Sequence, residues 1–159
     1  MSRTNLSEKA CTVARAAEVF GDVWMMMILR EMFLGGRRFD ALQRQTGAPT
    51  ASLSTRLKRL ESVGVLRRDA YSEHPPRYEY RLTAMGRDLW PIVVSMKAWG
   101  DKWMGSGETP VEIIHKTCGH SVTPQMVCPD CHEPMQAHDA EPRLSTAFEQ
   151  EREAARGKS

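Results

Sequence analysis

The stretch TASLSTRLKRLESVGVLRRD, residues 50 to 69, decides the fold. Its apolar residues Leu53, Leu57, Leu60 and Val63 recur at helical spacing and fall on one side of a helix. The other side carries Ser52, Thr55, Arg56 and Arg59, with a single acid, Glu61, near the end. A surface helix that only faces water usually mixes both signs of charge. Short hydroxyls beside cations suit a helix lying in a nucleic-acid groove. Gly64 stands where a left-handed C-terminal cap belongs, and beyond it VLRRDAY reads as a strand.

Upstream, Gly47-Ala48-Pro49 breaks the chain and Thr50 is the expected N-cap of the helix. A short helix over about Phe39 to Thr46 precedes the break, so the two form a helix-turn-helix. Before it, Asp22 is the expected N-cap of a helix from Val23 to about Leu34, closed by Gly35-Gly36 and apolar almost all round. A first helix runs from about Val13 to Phe20 and ends at Gly21. Downstream, Tyr78, Tyr80 and Leu82 alternate with Glu79 and Arg81 as a second strand. The tip between the strands, Ser72 to Arg77, contains two prolines that stiffen it and deny it ladder hydrogen bonds. Helix, turn, helix and a two-stranded ribbon with a basic tip make a winged helix. Thr83 is the expected cap of a last long helix to about Met104, interrupted at Pro91. Its Leu89, Trp90, Ile92, Val93, Met96, Trp99 and Trp103 exceed what a lone peripheral helix buries, and the surplus is read as a homodimer interface.

The expected fold is therefore mainly α with a small β-wing over residues 11–104. A Cys/His segment resembling a small zinc ribbon follows at 105–140, and a charged, helix-favouring tail expected to be disordered at 141–159. No apolar run reaches membrane-spanning length, and the start lacks a signal-peptide core, which gives a cytoplasmic expectation. Four cysteines in such a compartment point to metal binding or redox sensing before a disulfide framework. The formal net charge of +2 hides an asymmetry. Between Arg37 and Arg81 ten Lys or Arg face five Asp or Glu, whereas between Met104 and Ala140 one Lys faces five acids. A localised basic region is the footprint of a binder of phosphate backbone.

The runs FGDVWMMMILREMFLGGRRFDALQRQTG and LSTRLKRLESVGVLRRDAYSEHPPRYEYRLTAMGRDLWPIVVSMKAWG resemble the HxlR-type winged-helix transcriptional regulators, distant relatives of the MarR type. Three patterns carry the resemblance in combination: W-x-x-x-I-L-R-E before G-x-R-R-F, L-x-x-R-L-x-x-L-E-x-x-G-x-L-x-R, and P-P-R-Y-E-Y-R-L-T-x-x-G. It extends over roughly residues 11 to 103, about three fifths of the chain. The resemblance implies dimers formed through the first and last helices, operator DNA as partner, and responses to electrophiles, quinones, aldehydes or oxidants. It also implies a cysteine just before the first helix, usually followed by proline. Cys11 holds that place, with Thr12 instead of the proline.

Physical roles follow for the basic and hydroxyl residues. Thr50, Ser52 and Thr55 near the helix start can meet base edges or phosphates, and Arg56 and Arg59 can reach bases, Arg56 gripping a guanine bidentately. Arg37, Arg38 and Lys58 suit phosphate contacts that position without specifying. His74 and Arg77 at the wing tip can reach the adjacent minor groove. Arg67 and Arg68 alternate along a strand, so at most one faces DNA. Two copies about a two-fold axis would read a near-palindrome with half-sites about 34 Å apart. An input is expected at Cys11, or as a ligand at an interface lined by Met25, Met26, Met27, Trp99 and Trp103.

The segment after residue 105 carries His115-x2-Cys118 and, nine residues later, Cys128-x2-Cys131. Each pair is shaped like a metal knuckle, and a Cys3His set is a common structural zinc site. His120, His132 and His138 compete with His115 for the fourth place. The alternatives are free thiols or an oxidisable Cys128–Cys131 pair. For the whole chain the alternative to a DNA reader is a protein-interaction adaptor whose basic helix is a solvated face. No nucleophile–base motif, phosphate-cradling glycine loop or placed carboxylate pair supports an enzyme.

Overall fold

Asp22 starts the core helix as its sequence position implies. Its carboxylate accepts from the backbone N–H groups of Trp24 at 2.9 Å and Met25 at 3.3 Å, two of the donors that a helix start leaves unpaired. The structure, a computed structural model, describes residues 8–105 and 107–157. In chain order the elements are α1 (Thr12–Phe20), α2 (Val23–Phe33), α3 (Phe39–Thr46), α4 (Thr50–Ser62), β1 (Leu66–Glu73), β2 (Pro76–Leu82), α5 (Ala84–Arg87), α6 (Trp90–Met104) and α7 (Thr146–Arg156). A 3-10 turn lies at Ala137–Asp139.

The chain divides into two units: the part up to Trp90 together with the segment from Leu144 on, and Pro91–Arg143.

In the first unit α2 supplies the centre. Met25, Met26, Ile28, Leu29 and Met32 are buried, and α2 packs on α3 and α4. Leu42 of α3 and Leu53, Leu57 and Leu60 of α4 are fully buried, so the apolar stripe read from residues 50–63 is what holds α4 to the body. Burying such leucines is the dominant favourable term for so small a fold. α4 ends in a Schellman arrangement. Val65 N–H donates to Leu60 O at 2.9 Å and Gly64 N–H to Glu61 O at 3.0 Å, with Gly64 at φ +81°. At its start the expectation is corrected: Thr50 is the first helical residue, the extended cap position belongs to Pro49, and no side chain caps the end.

β1 and β2 pair antiparallel from Leu66–Leu82 out to Glu73–Pro76, with an irregularity between Ala70 and Ser72. The strands run further than the alternation suggested, so the tip is only His74-Pro75. Thr83 caps the single-turn α5 through Gly86 N–H at 3.1 Å. The long helix is thus broken before Pro91, which falls in the first turn of α6, where a missing N–H costs nothing.

In the second unit Ile92, Met96, Trp99 and Trp103 of α6 recur on one helical face and are all exposed. Two short hairpins follow, closed by isolated bridges Ile114–Ser121 and Val127–Pro134. In the tail, Thr146–Arg156 forms α7, started by Ser145, whose hydroxyl accepts from Phe148 N–H. No helix among the described residues is long and apolar enough to cross a membrane.

Leu57 is fully enclosed. Leu57→Ala should therefore lower unfolding free energy by about 2–5 kcal/mol in urea titration, and a loss under about 1 kcal/mol would contradict the packing described.

Candidate nucleic-acid interface

The turn between α3 and α4 is held on both sides. Gly47 takes the left-handed conformation at φ +71°, and Ala48 is buried beneath it. Thr46 Oγ1 donates to Leu42 O at 2.7 Å and accepts from Ala48 N–H at 3.2 Å. Gln43 Nε2 donates to Thr50 Oγ1 at 2.6 Å, so Thr50 braces the turn.

With its leucines inward, α4 turns Ala51, Thr55, Lys58 and Arg59 to solvent, while Ser52 is half-buried. Thr55 donates its hydroxyl proton to Ala51 O at 2.9 Å, leaving oxygen lone pairs outward. Lys58 engages no side-chain partner among the described residues. Arg59 is only loosely held, 3.9 Å from Glu18.

Arg56 departs from its expected place. Its Nε lies 3.1 Å from Asp22 Oδ1 and its Nη2 2.9 Å from Oδ2, a bidentate pair between helices. The guanidinium is turned back onto the body and is half-buried there. Asp22 is held below the usual carboxylate range, first by the Arg56 hydrogen bond, against partial burial, with the amides of Met25 and Trp24 adding to it. Sequence reasoning found Asp22 as a cap and missed its second partner. The two residues are 34 apart and carry no local signal of contact.

Arg37 is also turned inward. It donates to Met32 O at 2.6 Å, in the last turn of α2, and to Gly36 O at 2.9 Å, just beyond it. Arg38 remains exposed, bonded to Glu79 at 3.1 Å and stacked over the Tyr71 ring at 4.6 Å. Arg67 and Arg68 do face opposite ways. Arg67 and Arg81 flank Asp69, whereas Arg68 lies over Tyr78 at 4.4 Å, near Glu61. At the tip Ser72 Oγ donates to Pro75 O at 3.1 Å, and His74 and Arg77 are exposed with no side-chain partner among the described residues. A cleft of about 880 Å³ at the base of the wing is lined by Arg37, Arg67, Arg81 and Arg87 with Phe33 and Trp90. It is assembled from separate segments, which is why no single stretch of sequence announced it.

Of the residues expected to line an effector site, Met25 and Met26 are buried, Met27 is half-buried, and Trp99 and Trp103 are exposed. Cys11 precedes α1 at its N-cap position and is half-buried. Next to it, Ala10 N–H donates to Glu151 of α7 at 2.7 Å, and Lys9 pairs with the same carboxylate at 3.3 Å. The four candidate metal ligands are gathered as two pairs and not as one set. His115 Nδ1 lies 3.2 Å from Cys118 Sγ, and Cys128 faces Cys131, but among the described residues no three His, Cys, Asp or Glu side chains converge. The Cys128 thiol is pulled below its ordinary value by the backbone N–H groups of Cys131 and Asp130.

A helix-turn-helix with an antiparallel wing and an outward basic face defines the class: a winged-helix regulator. Residues 19–108 match the HxlR-like helix-turn-helix family, and the chain belongs to that family. It is 41% identical over 138 residues to the uncharacterized HTH-type transcriptional regulator Rv3095 of Mycobacterium tuberculosis, covering 86% of this chain and 87% of the relative. Among solved structures it is similar to the transcription-factor candidate PA1607, with a TM-score of 0.78 and 33% identity over 90% of this chain and 99% of that one. The redox regulator HypR in its oxidised form is 35% identical with a TM-score of 0.55, covering 58% of this chain and 96% of HypR.

The Asp22–Arg56 pair has a pH signature. Because the folded carboxyl titrates below its ordinary value of 3.8, the pair's stabilisation is fully present above that value and is lost as pH falls through the lowered one. The melting-temperature gap between wild type and Asp22→Asn should be widest near about pH 6 and narrow as pH falls below 3.8. A gap independent of pH would contradict the pairing.

Proposed function

We propose that this HxlR-type transcriptional regulator reads a near-palindromic operator as a homodimer, with α4 in the major groove and the wing tip at the adjacent minor groove. The observation that carries the reading is the outward face of α4. Its cations and hydroxyls are accessible while its leucines and Arg56 fix the helix to the body. A groove about 12 Å wide admits such a helix. Ser52, Thr55 and Arg59 are assigned to base edges, and Lys58, Arg38 and Thr50 to phosphates. His74 and Arg77 take the minor groove. Arg37 and Arg56 act through placement of the elements and touch no base.

The homodimer is supported by the exposed stripe Ile92, Met96, Trp99 and Trp103, more apolar surface than a monomer's helix leaves in water. An oxidant or electrophile acting at Cys11 is the proposed input. HypR's description as a redox regulator supports it, as does the place of Cys11 at the start of α1. Such an input regulates only if it distinguishes DNA-competent from incompetent dimers.

Fluorescence-anisotropy titration against the promoter duplex of the protein's own locus and a scrambled duplex, over a range of salt, tests this reading. Arg59→Ala should cut the preference for the promoter by roughly 5- to 100-fold, the worth of one good base contact. Lys58→Ala should weaken both duplexes alike and lower the salt slope by about 1. Retention of full preference by Arg59→Ala would remove it as a reader. Binding to neither duplex at low salt would favour the adaptor.

A further inference from the structure

Residues 107–143 fold without a core. None of them is buried, and even Ile114, Val122 and Val127 remain more than 40% exposed, at 48%, 41% and 46%. A segment that hides so little apolar surface needs another source of order, and a metal is the usual one.

The backbone repeats one geometry twice, thirteen residues apart. In each hairpin the first candidate ligand donates its N–H to the carbonyl five residues on: His115 to His120 and Cys128 to Glu133, both at 2.9 Å. The N–H four residues on returns to that ligand's own carbonyl, Gly119 to His115 at 2.8 Å and His132 to Cys128 at 2.9 Å. A third bond closes each loop, Val122 to Ile113 at 2.8 Å and Met135 to Met126 at 2.9 Å. The residue after the second candidate ligand has positive φ in both, +73° at Gly119 and 61° at His132. A histidine holds that conformation only where its surroundings fix it. These are two copies of one ligand-presenting turn, each offering two soft or borderline donors.

We propose that His115, Cys118, Cys128 and Cys131 bind one zinc ion, each hairpin supplying two ligands. The donors fit. With Zn–N near 2.0–2.1 Å and Zn–S near 2.3 Å, tetrahedral neighbours stand about 3.6 Å apart. The His115 Nδ1 to Cys118 Sγ separation is 3.2 Å, so that pair needs only to open slightly. The two pairs do not converge among the described residues. The connection from 119 to 127 can span up to about 30 Å, so the ion can draw the hairpins together without altering either. Binding exchanges three thiol protons for the metal, leaving three thiolates and a neutral imidazole around Zn²⁺. Four protein ligands leave no open position for water, so the ion is structural.

The test uses the full chain, reduced, loaded with zinc and desalted. Elemental analysis should find one zinc per chain. With zinc bound, Cys118, Cys128 and Cys131 should be slow toward a thiol reagent and fast after chelation. Cobalt in its place should show tetrahedral absorption with a thiolate charge-transfer band, reduced by about a third by each of Cys118→Ser, Cys128→Ser and Cys131→Ser. Cys11→Ser should leave that band unchanged. His115→Ala should weaken zinc at least about tenfold in chelator competition, with His120→Ala and His138→Ala unaffected. Substoichiometric zinc with all thiols equally reactive would overturn the proposal, as would loss of metal in His120→Ala or His138→Ala instead of His115→Ala. The wild-type stoichiometry and thiol rates decide the matter even if a cysteine variant fails to fold.

Discussion

The carboxylate of Asp22 holds two elements in register. It starts α2, the helix that supplies more of the core than any other element, and it grips Arg56 of α4 with both oxygens. A cap alone fixes one helix, and a salt bridge alone fixes a pair loosely. Here one group does both, so the azimuth of α4 about its axis is tied to the helix on which everything else packs. The leucine stripe sets which side of α4 is inward; the bidentate pair sets the orientation within that constraint.

The basic residues divide according to what they touch. Arg37 and Arg56 end on protein carbonyls and a carboxylate, and they maintain the geometry. Lys58, Arg59 and Arg77 project from that geometry into solvent. Between the groups stand Arg38 and Arg68, whose guanidinium planes lie on Tyr71 and Tyr78 and stiffen the two sides of the wing. A reading surface needs both kinds. Cations already spent on the body cannot contribute to phosphate affinity, and cations without a rigid support carry little sequence information.

Much of the first unit was legible in the sequence because its signals are local. Gly47 and Gly64 mark turns that need a left-handed residue, Asp22 marks a cap, and Leu53, Leu57 and Leu60 mark a period. What escaped was long-range: the Asp22–Arg56 pair, the return of Arg37 to the carbonyls of α2, and the arginine-lined cleft beneath the wing. Thr50 shows the limit of local rules. Its identity suits a cap, yet Pro49 takes the extended position and leaves Thr50 inside the helix. Glu151 likewise meets Lys9 and Ala10 across a long stretch of chain, a contact with no local signal.

In the proposed complex α4 lies in the major groove with the wing at the minor groove. Dimethyl sulfate protection on the promoter duplex of the protein's own locus tests it directly, because guanine N7 lies in the major groove and adenine N3 in the minor. Two clusters of protected guanine N7 about 10 base pairs apart, flanked by protected adenine N3, are expected. A bound complex in which guanine N7 stays fully reactive across the site would contradict it.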